Sequence, residues 1–539
     1  MSSECPFKKG SANKASTTVE KHKGGEGSGV IIVAFSGQDI EKNGIIVRTQ
    51  DNWDIEDVRK HCGEKLNISA YQTIEFYNDG GQRIDSFRDL IESGVAYIQG
   101  NESCHLEIPA PPTSIFFGTL PKLLPDMPAS LRRYFAEYDS PVLEIYIFST
   151  REIVTNHPSI AEVIAQESEY FTKRIELPFA EVKVLGGDGL FTTSSDEEVW
   201  KLAHKLLIPA FSSTAMKSYT EEMGHLALKL ANVFGQFKPD EPILVTDWMT
   251  RITFETIGMV GFGYDFGLLE SRDSPSHPFI EAMSFCMTEV RTRMNRSQYW
   301  KKLPIHSNYK FDKNIDLMRN VVEEVLNQRK KTPSSNGKTS DLLGFMLEAR
   351  DKSTGEKLSD SVIRDQVLTF LIAGHETTST TLSWCLYLLA RHPAVLNKVL
   401  QEVVNAGFNG EKPPTSAQVS QLKYLGQVLK EALRMYPPAS SVLKYCTKDC
   451  ILPFGYKIEK NTAAQISIYS MHHNPSFWPE PDVFDPDRFT PAEEAKRPQY
   501  AWMPFSSGPR GCIGMQFAIT GGKNHFGNYP KQIRVPTGG

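Results

Sequence analysis

Between Ser359 and Pro393 the chain runs without a proline, and its apolar residues keep helical spacing. A helix of about thirty residues spans roughly 45–50 Å, enough to cross a whole domain. Ser359 is placed to cap it. Helical patterns dominate the flanking sequence as far as about residue 437. The expected frame is therefore mostly α, built around one central rod. The chain has 539 residues, too many for one ordinary core, so two domains or one large one are expected. Hydrophobic residues at 40% and charged residues at 23% describe a globular chain. A net charge of −5 gives no global basic field and argues against nucleic acid as a partner.

The polar residues 1–28 contain no apolar run, so neither a signal peptide nor a membrane anchor is expected there, and they read as a disordered tail. That suits a soluble, cytoplasmic protein. The eight cysteines have no disulfide or zinc rhythm, which suits a reducing compartment. Residues 29–108 form a compact unit. Strands are expected at Val30–Phe35, Ile45–Arg48, Thr73–Tyr77 and Ala96–Ile98, with Asn43-Gly44 in the first turn. A helix over Trp53–Leu66 and a short one over Ser86–Ile91 complete the order. That order resembles a small α+β β-grasp domain of ubiquitin-like, and more narrowly doublecortin-like, type. The Pro109–Pro112 run marks a stiff boundary. A hairpin, Leu143–Phe148 and Ile153–Thr155, precedes the helical part, and residues 332–339 read as a surface loop.

The residues that carry chemistry lie in the large second unit, 109–539. Phe505-Ser-Ser-Gly-Pro-Arg-Gly-Cys-Ile-Gly514 reads as a loop offering a thiolate to haem iron. Sulfur ligation of haem iron favours O–O cleavage. Gly508 and Gly514 allow a tight turn under a flat group, and Pro509 stiffens it. Arg510 suits a propionate, and Phe505 can shield the Cys512 sulfur. In the middle of the long helix lies Ala373-Gly-His-Glu-Thr-Thr378. Ala373 and Gly374 remove bulk. Thr377 can bond a backbone carbonyl and open the helix locally. Glu376 can relay protons through water.

Together these runs resemble the cytochrome P450 family, the first as its haem loop and the second as its Ala/Gly-Gly-x-Asp/Glu-Thr motif. The resemblance covers about residues 113–518 and is strongest to the haem domain of soluble, self-sufficient fatty-acid hydroxylases of bacilli and fungi. It implies haem b as cofactor, with Cys512 on the iron and Glu376 and Thr377 managing protons. It also implies a buried network of Glu431, Arg434 and Arg488 that locks the cysteine loop. Trp200 and His204, one helical turn apart, match the element that reaches the propionates. Phe191, Ala373, Ser440 and Ser441 match the substrate pocket. The implied reaction inserts one oxygen atom from O2 into a C–H bond of an apolar substrate, with a fatty acid favoured.

Three departures qualify the likeness. No nucleotide-binding region follows the haem loop, so electrons are expected from a separate NADPH-dependent flavoprotein reductase. Ile153 and His157 stand where the relatives use Arg and Tyr to hold a carboxylate, although Arg151 is close. After Ala518, Thr520-Gly-Gly-Lys-Asn-His-Phe-Gly-Asn-Tyr-Pro530 is poor helix sequence, so the supporting helix is expected to break and the end to be truncated. A second reading follows: an inactive haem-domain remnant that carries a protein- or microtubule-binding module at 29–108.

Overall fold

The computed structural model describes residues 108–527 apart from 168–169, 176–179, 239–240, 295–297, 302 and 332–340, together with the elements between Val30 and Gln99 given below. The expected tail 1–28, the Asn43-Gly44 turn, most of the Ser86–Ile91 helix and the 332–339 loop lie outside the described residues.

Among the described residues before 100 there are five strands: β1 (Val30–Phe35), β2 (Ile45–Arg48), β3 (Glu75–Tyr77), β4 (Arg83–Ile84) and β5 (Val95–Gln99). They form one sheet in the order β2-β1-β5-β3-β4. β1 runs antiparallel to β2 and parallel to β5. A helix over Ile55–Leu66 joins β2 to β3 and buries Val58 and Cys62.

A second five-stranded sheet lies between Val142 and Ser467. Its members are β6 (Val142–Ile147), β7 (Thr150–Thr155), β8 (Phe171–Thr172), β9 (Ser441–Cys446) and β12 (Ala463–Ser467), in the order β6-β7-β12-β9-β8. The expected hairpin is β6–β7. β12 pairs with it in parallel, Ile153 opposite Ala464, and pairs antiparallel with β9. β10 (Cys450–Ile451) and β11 (Lys457–Ile458) form a small separate ladder.

The rod is present as a 32-residue helix, Asp360–Arg391, capped by Ser359, whose Oγ accepts from Val362 N at 3.3 Å. At 1.5 Å per residue it is about 48 Å long. Every residue from Gln366 to Leu371 is buried, so the helix is enclosed on all sides there, and beyond it His375, Ser379, Leu382, Cys385 and Leu389 keep one buried face. The first half joins one apolar cluster, through Val367, Phe370 and Leu371, and the second half another, through Leu382, Cys385 and Leu389. The rod therefore supports both ends of the helical unit.

The helix after the cysteine loop does not break. It runs Met515–Gly527, across the point where its propensity fails. Tertiary packing outweighs propensity there, because the glycines let neighbours come close. A Cβ on Gly522 would stand 3.1 Å from Leu429 Cδ1 and 3.6 Å from Leu382 Cδ2, and one on Gly527 would stand 2.5 Å from Phe408. Asn524 donates from Nδ2 to the Thr520 carbonyl at 3.0 Å, so its side chain bonds within the helix. Among the described residues no helix is long and apolar enough to cross a membrane.

Candidate active site

The Cys512 loop is fixed from two directions. Cys512 N donates to the Phe505 carbonyl at 2.8 Å, and Gly511 N to the Gly508 carbonyl at 2.9 Å. Gly508 has φ +70°, and an added Cβ would lie 2.2 Å from the Ala165 carbonyl oxygen. Glycine is therefore required there on both conformational and steric grounds. Gly514 differs from expectation. Its Cβ would meet only Cys512 Sγ, at an ordinary 3.9 Å, and its φ is not positive. Its contribution is instead a backbone hydrogen bond that favours the Cys512 thiolate, against the burial that pushes this thiol up. Cys512 is nonetheless exposed. Phe505 is half-buried, 6.2 Å from the Trp502 ring.

Beside the loop the structure gathers three of the expected residues. The Trp200 ring is stacked on His204 at 4.9 Å, and the Arg510 guanidinium lies 3.8 Å from its centroid on the other contact. Both aromatic residues come from the helix Glu198–Leu207, which buries Trp200, Ala203, Leu206 and Leu207 along one face. Arg510 donates to Ser195 Oγ at 2.9 Å and to the carbonyls of Leu190 and Thr193 at 2.9 and 2.8 Å. That loop is in turn pinned by the long helix. Asp365 accepts from Asp188 N at 2.8 Å, and Gln366 from Leu190 N at 3.0 Å.

Two lysines complete a basic cluster that sequence motifs did not mark. Lys173 follows β8, sits 4.3 Å from the Phe191 centroid and donates to the Phe191 carbonyl. Burial, with Arg510 and Lys444 nearby, pushes it down to about 7. Lys444, on β9, is buried against Glu167, and burial also lowers it. Burial brings Arg510 down to about 10 and, with the Arg510 charge, lowers His204. Glu167 is the buried carboxylate within this group; it also accepts from Ser195 Oγ at 2.6 Å. Arg510, Lys173 and Lys444 thus bring positive charge together near the exposed Cys512, with Glu167, Glu197 and Asp196 as the carboxylates around Arg510. This fits a flat group that carries two carboxylates and takes a thiolate ligand, as haem does.

On the long helix Ala373 and Thr377 lie one turn apart on an open face, and Thr377 Oγ1 donates to the Ala373 carbonyl at 2.8 Å. The helix remains continuous through this bond. Glu376 is half-buried, and burial raises its carboxyl against the opposing charge of Arg291. Gly374 has another task than the one expected. Its Cβ would meet Ile257 Cγ1 at 3.1 Å, so its smallness serves helix packing. Next to it Thr253 Oγ1 donates to the His375 carbonyl at 3.1 Å. Ile513 and Phe517, just after Cys512, pack into the cluster to which the long helix contributes Phe370 and Leu371.

The expected network is assembled and buried. Arg434 makes a two-pronged pair with Glu431, at 2.7 and 2.8 Å, and both side chains are 0% exposed. Arg434 also donates to the carbonyls of His472 and Pro481. Arg488 Nε lies 3.6 Å from Glu431 Oε1. The connection to the cysteine loop runs through His472, whose Nδ1 faces the Arg434 carbonyl and whose Nε2 accepts from Met503 N at 3.0 Å.

Other expected residues lie apart. Phe191 is 61% exposed and touches Lys173. Ser440 accepts from Tyr469 N through its carbonyl, and Ser441 is exposed at the start of β9. On the hairpin, Ile153 is buried and Arg151 is paired with Glu144 at 2.7 Å. His157 lies edge-on to Phe454 and Phe477, and burial lowers it to about 4. None of the three offers a free cation to a carboxylate.

The family model for Cytochrome P450 matches residues 108–523. A bifunctional cytochrome P450/NADPH–P450 reductase of Bacillus subtilis is 39% identical over 367 residues, covering 68% of this chain and 34% of that protein. A counterpart in Bacillus cereus is 37% identical over 415 residues, 76% of this chain and 38% of its own length. A self-sufficient cytochrome P450 monooxygenase of Exserohilum turcicum is 32% identical over 393 residues, 72% and 36% of the two chains. The chain thus spans little more than a third of these relatives. With the thiol loop, the basic cradle and the buried Glu431–Arg434 pair in place, it belongs to the cytochrome P450 family, whose cofactor is haem b.

Proposed function

We propose that this chain is a haem-thiolate monooxygenase acting on an apolar substrate, with a fatty acid as the favoured class. The carrying observation is the gathering of Arg510, Trp200, His204, Lys173 and Lys444 near the exposed Cys512. When bound, haem supplies the activation of dioxygen, for which a sulfur ligand is suited. This chain's residues do the rest. Cys512 supplies the sulfur, and Gly514 stabilises it as thiolate. Trp200, His204, Lys173 and Arg510 hold the carboxylates. Glu376, raised by burial, holds a proton nearer neutral pH than a free carboxyl does and can release it to water. Thr377 donates to Ala373, so its oxygen is oriented to accept from such a water. The continuous Met515–Gly527 helix favours this reading over that of an inactive remnant.

Electrons would come from an NADPH-dependent flavoprotein reductase, an activity the relatives' names place on the same chain. The protein, purified with haem, reduced and exposed to carbon monoxide, should give the spectrum of a thiolate-ligated haem. Cys512→Ala should abolish it. A histidine-type spectrum, or none, would sink the reading.

A second unit is supported by the order β2-β1-β5-β3-β4 with its parallel β1–β5 pair. We infer a β-grasp module at 29–108 that binds a protein partner, with the microtubule as the candidate. Pelleting of the full chain with microtubules, lost when residues 1–108 are removed, would support it. Equal pelleting of both chains would remove it.

A further inference from the structure

Cys446 ends β9 and Cys450 begins β10, and the turn between them brings the two sulfurs to 3.7 Å. Their spacing in the sequence gave no sign of pairing; the fold creates it. Both ends of the turn are tied down. Cys446 N donates to the Thr462 carbonyl at 2.9 Å, Asn461 N to the Cys446 carbonyl at 2.8 Å, and Thr447 N to the Tyr170 carbonyl at 2.8 Å. Lys460 N donates to Asp449 Oδ1 at 2.8 Å, and Cys450 is in register with Ile458. The sulfurs therefore face each other across a held backbone. Among the described residues no third His, Cys, Asp or Glu joins them to make a metal site.

We propose that Cys446 and Cys450 are a redox-sensitive thiol pair that hydrogen peroxide converts into an intramolecular disulfide. Cys450, the less buried of the two, opens the pair to solvent. Cys450 gives the hydrogen between the sulfurs, which holds the Cys446 thiol below its ordinary value and pushes that of Cys450 up. The charge left when the pair loses one proton therefore rests on Cys446, the sulfur suited to the first attack. Cys446 attacks peroxide: an S–O bond forms, the O–O bond breaks and hydroxide leaves, taking the Cys450 proton as water. Cys450 then attacks the Cys446 sulfur: the S–S bond forms, the S–O bond breaks and a second hydroxide leaves. Two thiols and one peroxide give one disulfide and two waters, so sulfur is oxidised and peroxide reduced. The bond would lock the turn that anchors β9, the strand carrying Lys444, and β9 pairs with β8, which leads into Lys173.

The test uses the haem-loaded full chain, treated with a small excess of hydrogen peroxide and then with iodoacetamide before digestion. Trypsin cuts after Lys444, Lys448 and Lys457, so the bond would join the peptides Tyr445–Lys448 and Asp449–Lys457. The joined pair should appear after peroxide and vanish with dithiothreitol. The oxidised chain should also unfold at a higher temperature than the reduced one, a shift absent in Cys450→Ser. The proposal is overturned if the folded wild-type chain yields the two peptides unjoined, each carrying its own blocked or over-oxidised cysteine. That reading needs no variant. It is also independent of the carbon monoxide spectrum, so either result can fail alone.

Discussion

Single side chains decide how this protein receives a charged, flat ligand. Lys173 shows what burial costs a cation in this cradle. Its folded value is about 7, against 10.5 for the free side chain. Between those values the unfolded chain holds the proton and the folded chain does not. Stability of the haem-free chain should therefore rise as pH rises from about 7 to 10.5, the penalty being full below 7. The effect is on the order of a few kcal/mol. Haem, with its carboxylates against the ammonium, should flatten that slope. Denaturant titrations of both forms across this pH range check it. A slope equal in the two forms would show that Lys173 does not face the ligand. The hairpin makes a second residue-scale prediction. With Arg151 held by Glu144 and His157 neutral, a fatty acid has no hairpin cation to meet. Its methyl ester should bind within a few-fold of the acid, read from substrate-induced changes in the haem spectrum. A tenfold preference for the acid, about 1.4 kcal/mol, would require an anchor elsewhere.

At the scale of elements, the sequence was readable wherever a pattern acts locally. The Ser359 cap, the unbroken helix that follows it, the first hairpin and the Glu431–Arg434 spacing all appear as spacing predicts. Lys173 and Lys444 were not readable, because their roles come from strands that meet only in the folded sheet. Gly374 reads as space for the ligand and Gly514 as a tight turn, but a glycine in the sequence does not say which neighbour needs the room or whether its φ is positive. The Met515–Gly527 helix is illegible in the sequence for a related reason: propensity is local, whereas Leu429, Leu382 and Phe408 are distant in sequence. Gly522→Leu should therefore destabilise despite a better helix residue. Overpacking of about 1–3 kcal/mol opposes a propensity gain of about 1 kcal/mol. Urea unfolding of wild type and variant tests this, and a stabilised variant would mean that the helix is loosely seated.

For the molecule as a whole, the buried Glu431–Arg434 pair is a fastener between regions. It ties the helix Lys423–Met435 to the backbone at His472, Pro481 and Asp485, next to the segment that enters the cysteine loop. Glu431→Ala would leave the Arg434 charge buried without its partner. A loss of about 3–5 kcal/mol is expected. Haem retention on gel filtration should fall with it. Retained haem together with unchanged unfolding would show that the backbone carbonyls alone suffice.

The parallel partnership of β7 with β12 sets a timetable for folding. Strand β7 ends at Thr155, but the strand that covers its open edge spans Ala463–Ser467. A ribosome must therefore make most of the chain before that edge can be sealed. Pairings so distant in sequence form late and leave an exposed strand meanwhile. Chains cut short before β12 should accordingly emerge with the hairpin edge bare and collect in the insoluble fraction, however well their helices form.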